Sequence, residues 1–204
     1  MKKFKNFEKI EITFIGGILI AMLSICILTS AFNKSNLQNA TTYSCDYHTL
    51  NIFKTVIDIN KGDKNYATIE GKIAKIVTDP LTMKDKEGNT IGKAGDEYHL
   101  VSQDSHSISL KEGAYIEMTG NFKLLGEEYT IYDSEENLIG KASFNLFGTN
   151  GVLTDKDGNI IAEYNSGWLR KDYDVTIKNE AKIDSDAILL VFASYASDFD
   201  FDNK

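Results

Sequence analysis

From Tyr66 onward, apolar and polar residues alternate along the chain with a period of two. Tyr173, Val175 and Ile177 fall on one side of a run whose other side is Asp172, Asp174, Thr176 and Lys178. Tyr129 and Ile131 alternate in the same way with Thr130 and Tyr132. Successive side chains of a strand point to opposite faces, so the pattern predicts antiparallel strands with one buried and one wet face. One hairpin recurs. Asp85-Lys86-Glu87-Gly88-Asn89 leads into Ile91-Gly92-Lys93-Ala94, Asp133-Ser134-Glu135-Glu136-Asn137 into Ile139-Gly140-Lys141-Ala142, and Asp155-Lys156-Asp157-Gly158-Asn159 into Ile160-Ile161-Ala162-Glu163. Asp, Asn and Gly close tight turns and tolerate positive φ, so these segments predict a sheet of repeated hairpins.

Two stretches break the alternation. Ile12 to Phe32 carries no charge over about 21 residues, enough at about 1.5 Å per residue to cross a hydrocarbon core of roughly 30 Å. Lys2, Lys3, Lys5 and Lys9 precede it, which by the positive-inside rule places the N-terminus in the cytoplasm and the rest outside. A signal peptide cleaved after Ala31 is the competing reading, and it makes the remainder a secreted protein. The second stretch, Ala187 to Ala196, is apolar nearly all round and is preceded by Asp184-Ser185-Asp186, which suit a helix N-terminus. It predicts a short helix buried on all sides, with a buried strand as the alternative. A sheet curled into a barrel would enclose such a helix. The chain thus divides into a basic tail over residues 1–11, a transmembrane anchor over 12–32, a polar linker over 33–48 and a β-barrel domain over 49–204.

Hydrophobic residues make up 42% of the chain, which marks the bulk as globular. Of 22 Lys+Arg and 30 Asp+Glu, four lysines and two glutamates lie in the first eleven residues, leaving 18 basic and 28 acidic side chains and a net of −10. A surface so acidic repels phosphate backbones and argues against nucleic acid as a partner. Cys26 and Cys45 are too few and too separated for a disulfide framework or a CxxC site.

The stretch from Phe122 to Phe201 resembles the LURP-one-related proteins of the tubby-like and phospholipid scramblase superfamily. The resemblance rests on Tyr129 to Asp133 with the Asn137 turn, on Asp155 to Asn159, on Trp168 through Asp172 to Ile177, and on the apolar run ending at Asp198. It implies a closed antiparallel barrel of about twelve strands around a hydrophobic C-terminal helix. The chain departs from the family in its N-terminal apolar segment and in lacking a Lys/Arg cluster like those with which tubby-like domains bind phosphoinositides.

Candidate chemistry is sparse. Asp155, Asp157 and Asn159 match the start of an EF-hand loop, but Ile160 and Ser166 stand where it needs Gly and Glu, so a structural turn is the reading. His48, His99 and His106 read as surface or turn residues, although His99 and His106 would approach each other across a hairpin. Glu127-Glu128 and Glu135-Glu136 read as solvated charge, and Trp168, Tyr164 and Tyr173 as core or edge packing. No GxSxG elbow or phosphate-cradling loop is present in the sequence. The expectation is a non-enzymatic, membrane-tethered β-barrel module without cofactor, metal or catalytic residues, binding a ligand or protein partner at the extracytoplasmic face. The alternatives are a lipid-binding or scramblase-like protein, and an OB-like domain whose five-stranded barrel closes before Tyr129.

Overall fold

The computed structural model describes residues 39–51, 54–72, 81–97, 105–123, 126–167 and 172–202. The expected anchor over 12–32, Cys26, His99 and Trp168 lie outside the described residues. Among the described residues no helix is long and apolar enough to cross a membrane.

Strands β1 (Ala40–Asn51), β2 (Lys54–Lys61), β3 (Lys64–Lys72), β4 (Leu81–Asp85), β5 (Thr90–Glu97) and β6 (Ser105–Leu110) form the first half. Strands β7 (Tyr115–Lys123), β8 (Gly126–Asp133), β9 (Leu138–Asn145), β10 (Asn150–Asp155), β11 (Ile160–Ser166) and β12 (Tyr173–Lys178) form the second, followed by helix α1 (Ser185–Asp202). Each strand pairs with its neighbours in sequence, and β1 pairs antiparallel with β12, so twelve strands close into one barrel. The closure matches Thr41 with Ile177, Tyr43 with Val175 and Cys45 with Tyr173. A closed sheet has no edge to protect.

Two expectations are corrected here. The stretch 33–48 is not wholly linker, because β1 starts at Ala40. Its Tyr43, Cys45 and Tyr47 point inward and are buried, while Thr42, Ser44, Asp46 and His48 alternate outward. Those outward residues made the segment look polar throughout. The OB-like alternative falls because β7 continues into β8, with Gly120 opposite Tyr129, and the sheet closes only at β12.

The three repeated turns adopt one geometry. In each, the leading Asp accepts backbone N–H bonds at its Oδ1 from the residues two and four positions on: Glu87 and Asn89 for Asp85, Glu135 and Asn137 for Asp133, Asp157 and Asn159 for Asp155. The closing Asn also donates from its side chain to both carboxylate oxygens. These carboxylates are engaged as acceptors for the turn itself, and that supports the structural reading of Asp155, Asp157 and Asn159.

Alternation puts all three Asp turns on one rim of the barrel, together with the Gly62 turn between β2 and β3 and the Gly113 turn between β6 and β7. Helix α1 also enters at that rim. Asp184 caps it by accepting the Asp186 N–H at 2.8 Å on its side chain and the Ile188 N–H at 3.0 Å on its carbonyl. Tyr66 donates its hydroxyl to Asp186 at 2.7 Å, tying the first helical turn to β3. From Ala187 to Ala193 no helical residue is more than 1% exposed. The helix therefore fills the lumen, as the run without a polar face predicts, and continues past the expected end at Ala196 to Asp202.

Candidate functional site: the aromatic end of the barrel

The end of the barrel away from the Asp turns is lined by rings. Phe144 on β9 stacks on Tyr195 of α1 with centroids 3.4 Å apart and planes 10° off parallel. It meets Tyr129, Tyr164 and Phe192 edge-on at 6.2, 6.0 and 5.9 Å. Tyr164 extends the array to Tyr173 at 5.0 Å, and Tyr129 extends it to His106 at 5.7 Å. Edge-to-face and stacked pairs of this kind lock each other's orientation beyond the burial they provide.

Local sequence explains the arrangement. Tyr129, Phe144, Tyr164 and Tyr173 occupy inward positions of β8, β9, β11 and β12. Gly151 of β10 lies opposite Phe144 in the register, and a Cβ there would come within 2.5 Å of the Phe144 ring. The missing side chain is what gives the ring its seat.

The structure places the sequence candidates as follows. Tyr164 and Tyr173 pack in the core, as the alternation predicts. His48 is exposed, its Nε2 3.6 Å from Asp58 Oδ2. His106 corrects the surface reading. It is 4% exposed and points inward on β6 with Ile108, because a serine-rich strand hid its two-residue period. Glu135 and Glu136 are exposed turn residues, and Glu127 is exposed on β8, where its Oε2 accepts the Tyr129 hydroxyl at 3.1 Å.

Cys45 is 1% exposed and faces Tyr173 across the closure. Burial pushes its thiol up to about 12, with the Tyr173 hydroxyl beside it pulling the other way. A thiol held protonated at neutral pH is a poor nucleophile and a poor metal ligand. Burial likewise raises the Tyr173 phenol well above its ordinary value, with the Cys45 thiol beside it adding to the rise. Burial pushes Tyr164 up to about 12. The interior is thus a ring-packed core closed around α1.

At this same end the turn joining β9 to β10 carries two side chains that the sequence reading passed over. Leu146 and Phe147 are 57% and 61% exposed. A non-polar pair in a turn is easily taken for an extension of the preceding strand; only its place at a hairpin tip makes it a surface feature. Comparison of the chain with protein-family models, curated proteins and solved structures gives no match.

Proposed function

We propose that the chain is a membrane-tethered, non-enzymatic binding module of LURP-one or tubby-like architecture, with the barrel at the extracytoplasmic face. The observation that carries the reading is the occupied lumen. Helix α1 fills the barrel, with residues Ala187 to Ala193 at most 1% exposed, so recognition falls to the outer surface and the rims. The uncharged stretch Ile12–Phe32 behind a lysine-rich tail supports the tether and its orientation. The closed antiparallel barrel with its C-terminal helix supports the family resemblance at the level of architecture, and architecture does not carry lipid chemistry with it.

Two measurements test the reading. In cells expressing the full chain, a membrane-impermeant amine reagent is expected to label the barrel lysines from outside; labelling only after permeabilisation would remove the tethered, outward-facing topology. A photoreactive residue at Phe147 is expected to give a discrete crosslinked adduct, whereas one at Lys86 on the opposite rim gives none. Absence of an adduct at Phe147 and at further surface positions sampled around the barrel would sink the binding role.

A further inference from the structure

We draw no further inference here: the strongest candidate, the exposed apolar pair Leu146-Phe147 on the turn joining β9 to β10 at the aromatic end of the barrel, carries nothing because nothing in the structure shows what covers it.

Discussion

At the scale of single residues, two positions show how backbone demands are met or evaded. Gly88 and Gly158 occupy the positive-φ position of their Asp turns, at 85° and 84°. In the third copy that position is Glu136, at 61°. A side chain there strains the backbone, so Glu136→Gly is expected to stabilise the domain by about 0.5–1 kcal/mol after allowing for glycine's freer unfolded chain. Denaturant titration checks it through a higher midpoint at unchanged slope. Gly151 is the converse. A Cβ at Gly151 would meet the Phe144 ring at 2.5 Å, and that ring is held by its stack on Tyr195. Gly151→Ala is expected to cost about 1–3 kcal/mol, read by the same titration. The sequence marked Gly88 and Gly158 as turn residues; it gave no sign that Gly151 faces a ring, because that depends on a strand pairing.

At the scale of elements, the Asp turns titrate as a set. Hydrogen bonds from Asn89, Asn137 and Asn159 hold the carboxyls of Asp85, Asp133 and Asp155 below their ordinary value of 3.8. A depressed folded value means the native state binds fewer protons than the unfolded one. The stabilisation is therefore present above about 3.8 and is lost as pH falls through the depressed values. The protection of the Glu87, Asn89, Glu135, Asn137, Asp157 and Asn159 amides relative to their intrinsic exchange rates is expected to fall together on acidification, and Asp→Asn at each turn to flatten that dependence. The helix makes a different demand. Phe192 is fully buried and touches both Phe144 and Tyr164. Phe192→Ala is expected to cost about 3–5 kcal/mol in equilibrium unfolding.

At the scale of the whole molecule, the barrel and α1 depend on each other. The strands alternate inward around a helix that has no polar face, and neither buries its apolar surface alone. Truncation after Asp184 is expected to leave a chain without a cooperative calorimetric transition; a sharp transition in that variant would show that the barrel collapses on itself. The placing of the described turns on two rims also appears only at this scale. The described turns at one rim carry charged tips, and among the described residues at the other rim the β9–β10 turn carries Leu146 and Phe147.

The sequence by itself determined the hairpin repeat, the inward faces of β8 and β12, the turn chemistry and the buried character of Ala187–Ala196. Each of these is written in spacing within a few residues, where backbone geometry fixes which side chains share a face. The tertiary structure alone decided that β1 begins at Ala40, that His106 is inside, that β1 closes on β12 and that Leu146 and Phe147 stand on the surface. These depend on partners far apart in the chain: Cys45 finds Tyr173, and Phe144 finds Gly151 and Tyr195. A residue's own neighbourhood in sequence records its preference for burial, whereas the burial it attains is set by what closes over it.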